Sequence, residues 1–176
     1  KMSGMADEEF FRALPKVALH DHLDGGLRPA SMIEIADAVG HQLPTTDAGE
    51  LSQWFFDAAN SGSLATYLTT FDHTTACMQR ADDLVRVARE WVADQVADGV
   101  IAGEARWAPE QHLRLGLSLD EAVEAVGEGL RQGMAEADAA GTPFVARQLV
   151  TAMRHADRGL EIAELAIRHR DADLVA

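Results

Sequence analysis

His20, His22 and Asp24 recur at every second position in the stretch LHDHLDGG, residues 19–26. That is the period of a β-strand, whose successive side chains point to opposite faces. The spacing predicts His20, His22 and Asp24 on one side, with Leu19, Asp21 and Leu23 on the other. Two imidazoles separated by one strand residue can both reach a single ion, and neutral imidazole binds Zn²⁺ at about 2.0–2.1 Å. Gly25 and Gly26 follow, without side chains, where the backbone can turn sharply or come close to a ligand. A catalytic metal site needs more ligands and an open position, so the pair by itself is half a site. An H-x-H pattern also arises by chance among 7 histidines. The bare pattern therefore fits a non-catalytic α/β module with structural histidines as well, and metal retention separates the two readings.

The elements that must position this pair follow from periodicity. KVALHDHL (16–23) is predicted as a strand, with the histidines at its C-terminal end, where α/β barrels place their chemistry. DEEFFRALP (7–15) is predicted as a short helix before it. RPASMIEIADAVG (28–40) has Pro29 in its first turn, a stripe of Met32, Ile33, Ala36 and Val39, and Gly40 as its stop. Asp47 and Glu50 resemble a capping pair ahead of Leu51, Trp54, Phe55 and Ala58. Residues 63–78 form another helix with Ser63 as its cap. Residues 82–99 keep the helical period through Leu84, Val85, Ala88, Val92 and Val96, ending at Gly99. VIAGEARWAP (100–109) and PFVARQLVTAM (143–153) read as the second and third strands. A capped helix over 118–141 lies between them, with Ser118 and Glu121 as a capping box. A helix over 160–170 and the start of a fourth strand at 173–176 complete the chain.

Strands alternating with helices predict a parallel sheet. One crossover helix would join the first two strands, yet about three helices' worth of chain lies between Leu23 and Val100. An excursion of that size folds over the mouth of the sheet as a lid. Four parallel strands ending on an unpaired apolar edge make a sticky half-sheet. A closed eight-stranded α/β barrel takes roughly 200 residues or more, so the 176 residues are expected to be the first half of something larger.

A formal net charge of −14 makes nucleic acid a poor partner, since phosphate binding needs a basic footprint. It disfavours an anionic membrane surface in the same way. No apolar run approaches the roughly 20 residues of a membrane span. The single cysteine, Cys77, excludes an internal disulfide and a thiolate zinc cage, which fits a reducing cytoplasm. Glu104 and Arg106 share a strand face and read as a buried ion pair or as substrate contacts. His155 reads as a helper to the site or as a structural cap. His41, His73, His112 and His169 read as surface or loop residues.

LPKVALHDHLDGGLRP (14–29) resembles the opening of the adenosine deaminase family, within the metal-dependent amidohydrolases. Three further stretches resemble that family in matching order: SLATYLTTFDH (63–73) its lid helix, GEARWAPEQH (103–112) its second barrel strand, and LVTAMRH (149–155) its third. The overall pattern is that of the bacterial enzymes. The resemblance implies an α/β fold: the first half of a (β/α)8 TIM-type barrel with extra lid helices between strands 1 and 2. Residues 1–176 would be the N-terminal portion of one hydrolase domain, partnered by the C-terminal half of the same barrel.

The resemblance implies zinc-dependent hydrolytic deamination of adenosine and deoxyadenosine to the inosine product and ammonia, with one Zn²⁺ per site. His20 and His22 would be two of the zinc ligands. Asp24 would accept a hydrogen bond from the ribose 5′-hydroxyl, with Gly26 also at the substrate. Leu64, Tyr67, Leu68 and Phe71 would line the lid over the purine, and Met153 would flank it. A phenylalanine is common in the family where Tyr67 stands. The family's third zinc histidine, its catalytic Glu in a His-Ala-Gly-Glu motif, its supporting histidine and its zinc-binding Asp would follow Ala176. The tryptophan-bearing insertion of the animal enzymes after Pro109 is absent. The chain alone is accordingly expected to be inactive. A deaminase of adenine, or of a modified adenosine nucleoside, would share the strand motif and differ in the sugar contact and the lid.

Overall fold

A computed structural model describes residues 8–170 and Val175. In chain order it runs α1 (Glu8–Ala13), β1 (Lys16–His22), a 3-10 turn at Leu23–Gly25, α2 (Pro29–Val39), α3 (Ala48–Ala59), α4 (Leu64–Ala76) and α5 (Ala81–Ala97). There follow β2 (Val100–Trp107), a second 3-10 turn at Pro109–His112, α6 (Leu119–Ala139), β3 (Val145–Val150) and α7 (Gly159–His169). The strands pair in parallel in the order β1-β2-β3. Val175 bridges Gln148 in parallel, at the expected fourth strand, whose other residues lie outside the described ones.

Local chemistry sets the helix ends. Pro29 occupies the first turn of α2, and Gly40 ends it at φ +71°, its N–H donating to the Ala36 and Asp37 carbonyls. Ser63 caps α4 through the Thr66 N–H, and Ser118 and Glu121 form a reciprocal capping box on α6. The cap of α3 is one-sided instead. Asp47 accepts from the Glu50 N–H, but the Glu50 carboxylate accepts from the Thr45 hydroxyl at 2.7 Å.

Helices α5 and α6 pack on the sheet and on each other. Leu84, Ala88, Trp91 and Val92 of α5 meet Val123, Val126 and Leu130 of α6 in the core over Ala105, Trp107 and Ala146. The buried Gln148 side chain ties the layers together, accepting from the Trp107 indole at 3.1 Å and donating to the Val123 carbonyl at 3.0 Å. The opposite sheet face carries Val17, Leu19 and Val145 in the open. Glycines set how closely the two helices approach. A Cβ on Gly129 would run into the Val85 carbonyl oxygen and stand 2.7 Å from the Ala88 Cβ. Gly129→Ala gains about 1 kcal/mol of helix propensity, against about 1–3 kcal/mol for forcing a packed contact apart. A net loss of up to about 2 kcal/mol in denaturant unfolding is the expected result; a stabilised variant would show that α5 yields freely.

Of the four histidines read as surface or loop residues, His112 and His169 are buried instead, and His41 and His73 are half-buried. His112 is wholly buried against Trp107, its Nδ1–H donating to the Met78 carbonyl at 3.0 Å. His169 is buried, with Nε2 2.6 Å from the Asp120 carboxylate. His41 and His73 bond to each other at 2.9 Å. Each takes its partner from a distant element, which helical periodicity does not reveal.

Candidate metal and substrate site

β1 does not keep strict alternation. Ala18 pairs with Gly103 and Asp21 with Ala105, so three steps of β1 span two steps of β2. This is a β-bulge, and its extra residue sits where the histidines begin. His20 takes φ +59°, a left-handed conformation that few non-glycine residues adopt. The bulge corrects the predicted facing of Leu19 and Asp21. Leu19 is 68% exposed, whereas Asp21 turns to α5 and accepts from Trp91 Nε1 and Gln95 Nε2, each at 2.7 Å. Leu19 and His20 are consecutive and both exposed; the phase of the strand changes between them. The His20 and His22 rings remain neighbours, with centroids 5.6 Å apart.

Beyond His22 the chain folds into the 3-10 turn, which buries Leu23 and Asp24. A cavity of about 340 Å³ opens there, walled by His22 and Asp24, by Leu68, Phe71 and Asp72 of α4, by Arg106 at the end of β2, by Ala108 and Gln111, and by Thr151 and Met153 after β3. Five of the sequence-predicted residues thus share one cavity: His22, Asp24, Leu68, Phe71 and Met153. His20 stands beside it. Tyr67 stacks edge-on against Phe71 at 5.4 Å and lines an adjoining hollow with Asp24. Gly26 opens onto a separate hollow with Met32 and Phe55. Leu64, 70% exposed on the first turn of α4, lines none of these.

The polar groups at the cavity converge on His22. Its Nδ1 lies 3.3 Å from the Asp24 carboxylate, and its Nε2 lies 2.8 Å from the Arg106 guanidinium, which donates to it. Burial pushes the Asp24 carboxyl above its ordinary value, while the charges of His22 and Arg106 oppose that rise. No ion pair joins Arg106 to Glu104 among the described residues; the predicted pair is replaced by the contact across the strand boundary to His22. Glu110 holds the far wall. Its almost wholly buried carboxylate accepts from the Met153 backbone N–H, and Arg158 stands 4.0 Å away. Sequence reasoning missed Glu110, Gln111 and Thr151, which periodicity cannot flag because they lie outside the regular elements. His155 is exposed and lines none of the wall.

The spacing of the two rings suits a shared ion, provided the Arg106 guanidinium leaves His22 Nε2. Two imidazoles on one tetrahedral ion at about 2.0–2.1 Å put their ring centres roughly 5–6 Å apart, and the observed spacing is 5.6 Å. Among the described residues no group of three or more His, Cys, Asp or Glu is gathered to hold a metal. The arrangement brings together two imidazoles, a buried carboxyl and an apolar wall on α4.

Residues 15–176 match the family model of adenosine deaminase. Adenosine deaminase 1 of Streptomyces coelicolor is 56% identical over 165 residues, covering 93% of this chain and 42% of that protein. Adenosine deaminase of Mycobacterium ulcerans is 51% identical over 175 residues, covering 99% and 48%. The chain thus spans about half the length of the curated relatives it matches. Among solved structures, the Arabidopsis N6-mAMP deaminase superposes with a TM-score of 0.77 at 25% identity, covering 96% of this chain and 50% of that one. A zinc-bound amidohydrolase from Burkholderia ambifaria gives 0.75 at 27%, covering 96% and 44%. The parallel strands and outer helices are therefore the opening units of the barrel those proteins share. With the match unbroken from Pro15 to the last residue, this chain belongs to the adenosine deaminase family.

Proposed function

We propose that the full-length protein is a zinc-dependent cytoplasmic hydrolase that deaminates adenosine and deoxyadenosine, releasing ammonia. This chain would contribute half of the metal site, the sugar contact and the lid. The convergence of His22, Asp24, Leu68, Phe71 and Met153 on one cavity carries the reading. Its volume, about 340 Å³, lies in the range of small-ligand pockets. His20 and His22 would hold the metal. When bound, that metal supplies Lewis acidity, enough to make water a nucleophile at neutral pH. Asp24 accepts the sugar 5′-hydroxyl at the buried end of the turn. Phe71 and Leu68 cover one face of the purine and Met153 meets its edge, excluding bulk water. Tyr67 supports Phe71 from behind. Leu64 and Gly26 stand apart from the cavity and take no part in this reading. The remaining ligands and the general acid would come from the C-terminal half of the barrel.

A neutral nucleoside suits the chain's charge of −14 better than a polyanion does. Among the described residues, no helix is long and apolar enough to cross a membrane. The test is a substrate panel on the full-length protein: adenosine, deoxyadenosine, adenine and N6-methyl-AMP, followed by loss of ultraviolet absorbance. Turnover of the first two, abolished by a chelator and restored by zinc, is expected. Turnover confined to adenine or N6-methyl-AMP would replace the substrate assignment. A protein that retains no zinc and turns over none of them would favour a module with structural histidines. Residues 1–176 alone are expected to leave adenosine unchanged.

A further inference from the structure

Resting on the metal reading above, we infer that Asp21 is a positioning residue: its carboxylate, clamped by Trp91 and Gln95 of α5, fixes the phase of β1 and turns both histidines away from α5.

The inference follows from the bulge. Before it, Val17 and Leu19 are the exposed residues of β1, and Ala18 pairs with Gly103. Gly103 faces α5 so closely that a Cβ there would stand 2.8 Å from the Trp91 ring. Uninterrupted alternation from Ala18 would send His20 and His22 toward α5 and leave Asp21 in the open. A one-residue change of phase moves every following side chain to the other face. The bulge makes that change, with His20 in a left-handed conformation at φ +59°. Such backbone states persist only where the surroundings impose them.

The imposing contact is at the next residue. Trp91 Nε1 and Gln95 Nε2 both donate to Asp21 Oδ2 at 2.7 Å. The Trp91 indole is itself fixed in the core against Phe144, with ring centroids 5.9 Å apart. If the bulge relaxed, the carboxylate would lose both donors and leave a buried indole N–H unpaired. Asp21 therefore touches neither ion nor substrate and acts through the ring orientation of its two neighbours. Groups that orient metal ligands typically change metal affinity about 10–100-fold when removed.

The experiment uses the full-length protein with Asp21→Ala, Asp21→Asn and Gln95→Leu. Zinc affinity is read by chelator competition, ligand geometry by the visible spectrum of the Co²⁺-substituted protein, and folding by thermal unfolding of the metal-free forms. Asp21→Ala is expected to weaken zinc about 10–100-fold and shift the Co²⁺ spectrum. Asp21→Asn keeps an acceptor oxygen and is expected to restore affinity to within about threefold. Where Asp21→Ala does not fold, Gln95→Leu decides, a several-fold loss supporting the inference and wild-type affinity overturning it. Wild-type affinity and spectrum in a folded Asp21→Ala would overturn it, as would an Asp21→Asn as weak as the alanine. A wild-type protein that binds no zinc fails differently: it overturns the metal reading first, and the positioning role with it.

Discussion

Replacing His22 with alanine in the full-length protein is expected to lower kcat/KM for adenosine by about a thousandfold, equivalent to about 4 kcal/mol of transition-state stabilisation. Zinc content should fall in the same variant. His22 is where the two halves of the proposed chemistry meet. Its ring neighbours His20 at 5.6 Å, touches the Asp24 carboxylate and the Arg106 guanidinium, and walls the cavity with Phe71 at 6.5 Å between ring centroids. Removing the imidazole costs a metal ligand and also leaves Arg106 and Asp24 without the group between them. His155→Ala, at an exposed position outside the cavity, should stay within about twofold of wild type. Equal losses at His22 and His155 would point to general instability rather than to the metal pair. A His22→Ala protein that keeps both zinc and activity would remove this residue from the site.

Acid should weaken the fold through His112. This imidazole is wholly buried, donates from Nδ1 to the Met78 carbonyl, and leaves Nε2 without a hydrogen-bond partner. Burial pushes its pKa down from 6.5 to about 4. The unfolded chain therefore takes up a proton near pH 6.5 that the folded chain refuses until about pH 4. Stability from this group is complete above the upper value, falls as pH drops through the window, and is level below the lower one. A displacement of that size corresponds to about 3 kcal/mol. Denaturant unfolding of wild type and His112→Leu between pH 4 and 7 checks it. Subtracting the variant isolates His112 from the other groups that titrate in this range, such as Asp24 and His73, and the wild type should carry the steeper slope. Asp120, held below the usual carboxylate range by hydrogen bonds from Arg168 and His169, loses its contribution at lower pH, outside this window. Parallel curves for the two proteins would mean that His112 is protonated in the fold or reaches water.

The regular elements were legible because each announces itself locally. Ser118 and Glu121 cap α6 within one turn, Gly40 stops α2, and Leu84, Ala88 and Val92 keep one buried stripe along α5. The four stretches that resembled a known family all fall where the cavity is built. What escaped was set by contacts between distant residues. Alternation misplaced Leu19 because it assumes an unbroken ladder, and the bulge is held by Trp91 and Gln95 from another element. Glu104 and Arg106 looked like a pair because they share a strand face, yet register brings Arg106 beside His22. His112 does sit in the connection after β2, but it is no surface residue, and only the fold places Trp107 and Met78 around it. Leu64 shares the helical stripe of Leu68 and Phe71, but it lies one turn too early to reach the cavity.

The claim that His20 and His22 share one divalent ion is tested most directly by anomalous diffraction at the zinc edge on crystals of the full-length protein. A single peak about 2.0–2.1 Å from one nitrogen of each ring is the expected result, with the Arg106 guanidinium moved off His22 to avoid a second cation. A peak away from both rings, in a protein that still turns over adenosine, would contradict it.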